Sequence, residues 1–349
     1  MQVLETHDLA VGYDMPRKPR VTVADNLNLA LQAGELVCLL GPNGAGKSTL
    51  MRTIAGMQKA LAGDVVLAGQ SLANIQPRQL AKMLSVVLTD RPNVGLLNGY
   101  ALVALGRHPY TDWTGRLSRY DEAVVRWAVD AVNARDLAER PILELSDGQR
   151  QKLMIARALA QESELIILDE PTAFLDLPRR AEIMQLLRHL AAETGRAILL
   201  STHDLDLALR SADTLWLMAH GKIYVGAPED LVLDGTFEAA FRGEGVHFDR
   251  TTGSFEVNRQ RAGMVCVRGH GIPHTWTRRA LQRAGYTLDD NAPIEVIVTG
   301  EQNPTWQIIY GSKHNYYDSI RDLLDGIRDL LDGIRDIEQA NDTITKEYA

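Results

Sequence analysis

Five short apolar runs recur along the chain: ELVCLL (35–40), SVVL (85–88), ELIILD (164–169), RAILLS (196–201) and TLWLMA (214–219). None shows the strict alternation of a half-exposed strand, so each reads as a strand buried on both faces. Several are separated by helical patterns, an alternation that predicts an α/β layered domain with a largely parallel sheet. Between about Pro92 and Gln161 the strand signal stops. There YDEAVVRWAVDAVNARDLAER sets Val124, Trp127, Ala128, Ala131 and Val132 at helical spacing, which predicts a helical insert.

After about Gly243 the composition changes to the Gly-, Arg- and Thr-rich FRGEGVHFDRTTGSFEVNRQRAG, with a hairpin-like turn at Thr251 to Gly253. A domain boundary is expected there, with a first domain over 1–243, its helical subdomain at about 92–161, and a second over 244–349. In the tail, MVCVRG, IEVIVTG and TWQIIYG read as strands and TWTRRALQRAG as a helix, followed by an amphipathic helix from about Tyr317. A small α/β domain fits. Inside the last helix IRDLLDG (320–326) is repeated at 327–333 and begun again at 334. Its apolar set, Ile320, Leu323, Leu324, Ile327, Leu330, Leu331 and Ile334, forms a stripe of coiled-coil type. Gly326 and Gly333 each weaken it by about 1 kcal/mol relative to alanine. The repeat suits either a dimerising or docking helix or a duplication that lengthened a surface helix.

A chain of 349 residues is long enough for two domains. A net charge of −8 argues against a broad nucleic-acid footprint, which needs an excess or a patch of Lys and Arg. Two cysteines, Cys38 and Cys266, each inside an apolar run, form no disulfide framework and suit a reducing compartment. The opening MQVLETHDLAVGYD lacks the apolar centre of a signal peptide, and no segment approaches the roughly 20 apolar residues needed to span a bilayer. A membrane role is therefore expected to go through a partner.

Chemistry concentrates in four places. GPNGAGKST, Gly41 to Thr49, follows one buried strand and opens an apolar helix, the context of a phosphate-binding loop. Gly41, Asn43, Gly44, Ala45, Gly46 and Thr49 would cradle phosphates through backbone amides, Lys47 supplies a point charge, and Ser48 ligates magnesium. LIILDEPT places Asp169 and Glu170 at the carboxyl end of a strand, where open α/β sheets put ligands. Asp169 suits magnesium, and Glu170 suits a base that orients and deprotonates the water attacking a γ-phosphate. STHD ends another strand in His203, able to donate to a phosphate oxygen. ELSDGQ (144–149) opens a long helix: Ser146 and Gln149 suit a capping box, but a start so rich in donors also suits an anion.

The phosphate loop, LSDGQ (145–149), LIILDEPT, AFLD (173–176) and STHD occur in the order and approximate spacing of the ATP-binding cassette proteins, which residues 1 to about 243 resemble. The resemblance implies a P-loop ATPase fold: a mostly parallel sheet core with antiparallel N-terminal strands and a helical subdomain. It also implies that Ser146, Gly148 and Gln149 face ATP held by the phosphate loop of a second copy, with Asp176 at the same dimer interface. Tyr13 matches the aromatic that stacks on adenine. Two positions depart from the pattern. Asp147 stands where the family usually has glycine and is expected to turn away from the partner's phosphate. Thr89, in SVVLTDRP, stands where the family usually has a glutamine that touches magnesium; its hydroxyl is shorter.

A phosphate loop alone would also suit a small-molecule kinase or a GTPase, but the signature at 145–149 argues against both. VALGRHPYTDWTG (103–115) resembles the corresponding stretch of importers of iron-siderophore, haem and cobalamin type, with Tyr110 and Trp113 as solvent-facing aromatics for a permease loop. The resemblance thus implies an ATPase motor subunit at the cytoplasmic face of the membrane, peripheral, using ATP and magnesium. Its implied partners are a second copy, membrane permease subunits and, indirectly, a substrate-binding protein. The alternative is a soluble cassette not coupled to transport. His270 and His274 in RGHGIPH are two histidines four apart after a glycine-rich turn, a spacing more typical of a loop than of a ligand pair. The tail is assigned regulation or dimer support.

Overall fold

The computed structural model describes residues 1–14, 19–88, 97–242, 246–250, 253–257 and 262–347, with side chains left out at 246, 247, 254, 256, 257 and from 335 onward. They divide into two compact units, Met1–Gly243 with His247–Phe255, and Glu244–Val246 with Glu256–Ala349.

The first unit is built on a six-stranded sheet in the lateral order Lys222–Gly226, Thr214–Ala219, Leu36–Leu40, Ala197–Ser201, Leu165–Asp169, Leu84–Val87. All neighbours are parallel except the first pair. The continuous apolar runs are explained by two cores on opposite faces. Leu36, Cys38 and Leu40 enter one with Ile166, Leu168, Ile198 and Leu200. Val37 and Leu39 enter the other with Leu165, Ile167 and Leu199. Strands covered on both sides have no solvent face to mark with polar residues, so the period of two is invisible in the sequence.

The second of these cores is closed by the helix Lys47–Ile54 and by an antiparallel sheet of Gln2–Tyr13, Val21–Leu27, Ala30–Gln32, Ala62–Leu67 and Gln70–Ser71. The first is closed by Leu177–Thr194 and by three helices, Gly99–Ala104, Arg119–Ala131 and Asp147–Ala160. In Arg119–Ala131 the buried stripe runs through Val124, Val125, Ala128 and Val129. Trp127, which the spacing placed in that stripe, sits instead on its shoulder, 42% exposed, with the Arg196 guanidinium 5.3 Å from its ring centre. The inward face is set by the valine pair 125/129, and the indole takes a cation at the rim instead.

The stretch after Ala104 is held by a buried arginine. Arg107 donates to Asp121 at 2.8 Å, to Glu162 at 2.6 Å and to the Ala160 carbonyl at 2.7 Å. Its guanidinium also lies 4.0 Å from the Tyr110 ring centre. Tyr110 donates its hydroxyl to the Gln161 carbonyl at 3.0 Å. It is therefore half-buried and committed to this network, which corrects its assignment as solvent-facing. Trp113 is 95% exposed.

The hairpin Val246–Asp249 and Ser254–Val257 packs with the first unit: Phe248 and Phe255 lie 5.1 Å apart against Phe237 and Phe241, and Arg250 pairs with Glu238 at 2.8 Å. Residues 247–255 thus group with the first unit, where these phenylalanines pack together. Thr251 and Thr252 lie outside the described residues.

The second unit is a five-stranded sheet in the order Tyr286–Leu288, Gly263–Arg268, Ile294–Thr299, Thr305–Tyr310, Lys313–Tyr317, parallel across its first three strands and antiparallel beyond. Gly271–Arg283 and Ile320–Glu347 join a single core with Val265, Val296 and Ile308. His270 stands at the N-cap of the former helix and His274 in its first turn, not in a loop. Among the described residues no group of three metal-ligating side chains forms. In the last helix Leu323 and Ile327 are buried, and Ile320, Leu324, Leu330 and Leu331 pack partly on the same core, so much of the repeat's stripe is used within its own unit.

The two glycines of the repeat differ. A Cβ at Gly326 would lie 2.1 Å from the Tyr317 hydroxyl, whereas one at Gly333 would meet nothing within 4 Å. Gly326→Ala is expected to destabilise the protein by about 1–2 kcal/mol through overpacking, and Gly333→Ala to stabilise it by up to about 1 kcal/mol through helix propensity. Thermal unfolding of the two full-length variants checks the opposite signs.

Candidate active site

Three segments end at the carboxyl edge of the parallel sheet: the loop after Leu40, the acidic pair after Leu168, and the stretch after Leu200. In the loop, glycine is required at two points. Gly41 has φ 152° and a Cβ there would lie 2.2 Å from the Met218 carbonyl; Gly46 has φ 106° and a Cβ there would lie 2.1 Å from Val23. The loop thus fits between two neighbouring segments only without side chains. Asn43, Gly44 and Ala45 form its outer rim. Gly46 caps the helix Lys47–Ile54, whose first amides and positive end face the loop.

Lys47 is buried and donates to the carbonyls of Gly41 at 2.7 Å and Pro42 at 3.2 Å. Burial lowers its pKa, while the carboxylates of Glu170 and Asp169 act in the opposite sense, so both acids stand within electrostatic reach of the ammonium. Ser48 is exposed on the first turn, and Thr49 shares a 2.9 Å hydrogen bond with the Tyr13 hydroxyl. Tyr13, at the end of its strand and 39% exposed, is tied to the loop's helix through its hydroxyl while keeping ring surface open.

Asp169 closes the strand Leu165–Asp169, and Glu170 follows in the left-handed region with φ 51°. Ser201, fully buried, donates its hydroxyl to Asp169 Oδ1 at 2.7 Å and accepts the Glu170 amide at 2.9 Å. His203 Nε2 contacts Glu170 Oε1 directly, and both side chains are partly open to solvent. Sequence reasoning had passed over Ser201. The available signal was a hydroxyl ending an apolar strand two residues before the histidine, in LLSTHD. Asp169 and Ser48 are hard oxygen donors, and one carboxylate with one hydroxyl is the sparse protein set that suits magnesium, an ion that keeps most of its waters or takes phosphate oxygens. The donor set therefore fits that ion.

Ser146 is the N-cap of Asp147–Ala160. Its hydroxyl accepts from the Gln149 backbone amide at 3.3 Å, and the Ser146 backbone amide donates to Gln149 Oε1 at 3.0 Å. The capping box is real. Gly148 and Gln149 line a cleft shared with Lys152, Arg179 and Glu182, where Glu182 accepts from Lys152 at 2.5 Å and from Arg179 at 2.8 Å. Arg179 belongs to the first turn of Leu177–Thr194, which Asp176 caps by accepting the Arg179 amide at 3.2 Å. The signature and Asp176 thus stand at two helix starts that border one cleft. Thr89 lies outside the described residues.

Residues 24–173 match the family model described as ABC transporter, and residues 262–328 match the Iron ABC transporter C-terminal domain. The second match ends two residues into the second copy of the IRDLLDG repeat. The chain is 42% identical over 275 residues to an uncharacterized ABC transporter ATP-binding protein of Methanocaldococcus jannaschii, covering 77% of this chain and 93% of that one. It is 37% identical over 255 residues to a petrobactin import ATP-binding protein of Bacillus anthracis, covering 71% of this chain and 93% of that one. The fold resembles a dimeric ATP-binding cassette solved in a post-hydrolysis state with ADP and phosphate: TM-score 0.56, 26% identity, 64% of this chain and 98% of that chain.

Proposed function

The chain belongs to the ATP-binding cassette transporter family as an ATP-binding protein, and on that premise we propose that two copies close on two ATP molecules to drive an importer of an iron complex or cobalamin. The observation that carries the reading is the convergence of Lys47, Asp169, Glu170 and His203 at one edge of the sheet, with Lys47 in electrostatic reach of both acids.

In this reading the amides of Gly44, Gly46 and Lys47 and the Lys47 ammonium bind the β- and γ-phosphates, exchanging the lysine's contacts with Gly41 and Pro42 for phosphate oxygens. Ser48 and Asp169 would hold magnesium, which when bound would offset negative charge on the phosphates. Glu170 orients a water and accepts its proton as the water oxygen attacks the γ-phosphorus; the bond to the bridging oxygen breaks, releasing ADP and phosphate. His203 leaves Glu170 to donate to the γ-phosphate. Ser146, Gly148 and Gln149 of the second copy complete the phosphate shell from a helix start, and Asp176 lies at the same interface. The ring of Tyr13 stacks on adenine.

Closure of the pair pulls the permease into its other conformation, and hydrolysis resets it. No helix among the described residues is long and apolar enough to cross a membrane; as in import ATP-binding relatives, the subunit in this reading works peripherally, from the cytoplasmic side, through permease subunits that a substrate-binding protein loads. Trp113, held out to solvent next to the anchored Arg107 and Tyr110, is the docking aromatic. ATP turnover stimulated by permease-bearing vesicles supports this reading over a soluble cassette, whose turnover would ignore them.

Two variants test the composite site. Glu170→Gln should accumulate an ATP-loaded dimer by size-exclusion chromatography and lose turnover by at least about a hundredfold; a monomer that still hydrolyses ATP at the normal rate would refute the assignment of the base. Ser146→Asp keeps an equivalent N-cap and thus thermal stability within about 0.5 kcal/mol, whereas Ser146→Ala loses about 1 kcal/mol. Turnover of the aspartate variant should nonetheless fall at least about tenfold, because a carboxylate then faces the other copy's γ-phosphate. Unchanged turnover there would leave Ser146 a cap and nothing more.

A further inference from the structure

Asp169 and Glu170 carry two different tasks in the proposed function, yet one side chain fastens both. Ser201 sits at the end of the neighbouring parallel strand, in register with Asp169, and is 1% exposed. Its hydroxyl proton goes to Asp169 Oδ1 at 2.7 Å, and its oxygen receives the amide proton of Glu170 at 2.9 Å. The second bond falls where the backbone needs it. Glu170 has φ 51°, a left-handed conformation that a residue with a side chain adopts only when its surroundings hold it there. Two residues further along the same segment, His203 contacts the Glu170 carboxylate. One short segment therefore grips the acidic pair at three points: the Asp169 carboxylate, the Glu170 backbone and the Glu170 side chain.

We propose that Ser201 is a positioning residue for ATP hydrolysis: it orients the Asp169 carboxylate toward magnesium and locks the Glu170 backbone so that its carboxylate meets the attacking water. The inference rests on the nucleotide site described above and adds to it a residue that touches neither ATP nor water. Its chemistry needs a group that donates and accepts at once, which a hydroxyl does and a methyl does not. A hydroxyl serving only to fill the space between two strands would matter to stability and leave the chemistry alone. The two roles are separable because orientation of a base enters the chemical step, whereas phosphate binding belongs to the loop at 41–49.

The test uses the full chain with Ser201→Ala, Ser201→Cys and Ser201→Thr. Three quantities are measured: steady-state ATP turnover; equilibrium binding of a fluorescent ATP analogue at varied magnesium and in EDTA; and thermal unfolding. For Ser201→Ala, kcat should fall about tenfold to a hundredfold with KM for ATP changed less than about threefold. The magnesium concentration giving half-maximal nucleotide binding should rise several-fold, roughly threefold to tenfold, while binding in EDTA stays within about twofold. Ser201→Thr, which keeps the hydroxyl, should return both quantities toward the wild-type values. Should Ser201→Ala fail to fold, Ser201→Cys, nearly isosteric and a weak donor, carries the same expectations. A folded Ala or Cys variant with wild-type kcat and an unmoved magnesium midpoint overturns the proposal. So does an equal loss of binding with and without magnesium. A wild-type chain that shows no magnesium-dependent ATP turnover would instead sink the nucleotide-site reading itself.

Discussion

Everything in the first unit depends on the lateral order of its parallel strands. Leu36–Leu40 lies between Ala197–Ser201 and Thr214–Ala219, with Leu165–Asp169 next to Ala197–Ser201. Interstrand hydrogen bonds and burial on both faces hold that order, since shifting any strand would expose a full row of Leu, Ile and Val side chains. Because the strands run the same way, the loop after Leu40, the acids after Leu168 and the histidine after Leu200 all emerge at one edge. The grouping of these residues is the consequence of a packing constraint met elsewhere.

Several groups at that edge are engaged with each other. Lys47 leans on the Gly41 and Pro42 carbonyls and Glu170 meets His203, while away from that edge Ser146 and Gln149 cap their own helix reciprocally. Where they are buried, such bonds satisfy polar groups that would otherwise cost free energy. The influences on Lys47 oppose each other: burial pushes its pKa down, and the carboxylates of Glu170 and Asp169 act in the opposite sense.

Away from the nucleotide edge, polar anchoring does the work that apolar area does in the sheet. Arg107, buried against Asp121 and Glu162, ties the segment carrying Trp113 to the end of the signature helix. Removing one member of such a buried pair typically costs about 3–5 kcal/mol, mostly by stranding the other, so the segment is held firmly while its tryptophan stays in solvent. In the second unit the close approach of Tyr317 to Gly326 fixes where the last helix lies on its own sheet, and Gly333, one repeat later, carries no such duty.

The strand, glycine-rich loop and helix of 36–54, the strand that ends in Asp169 and the order of apolar runs were legible in the sequence, because each depends on neighbours a few residues away. The same local reading recovered the capping box at Ser146 and the strands and helices of the tail. It failed where a residue's role is set by a partner distant along the chain. Ser201 and Asp169 are 32 positions apart and Tyr110 and Gln161 are 51 apart; no periodicity reports that they meet. Trp127 was misplaced because helical spacing gives the width of an apolar face but not its centre, and composition did not reveal which phenylalanines residues 247–255 pack against. Sequence alone determined what chemistry the chain carries; which groups hold that chemistry in position was decided by the tertiary structure, since burial and contact between distant segments exist only once the sheet has assembled.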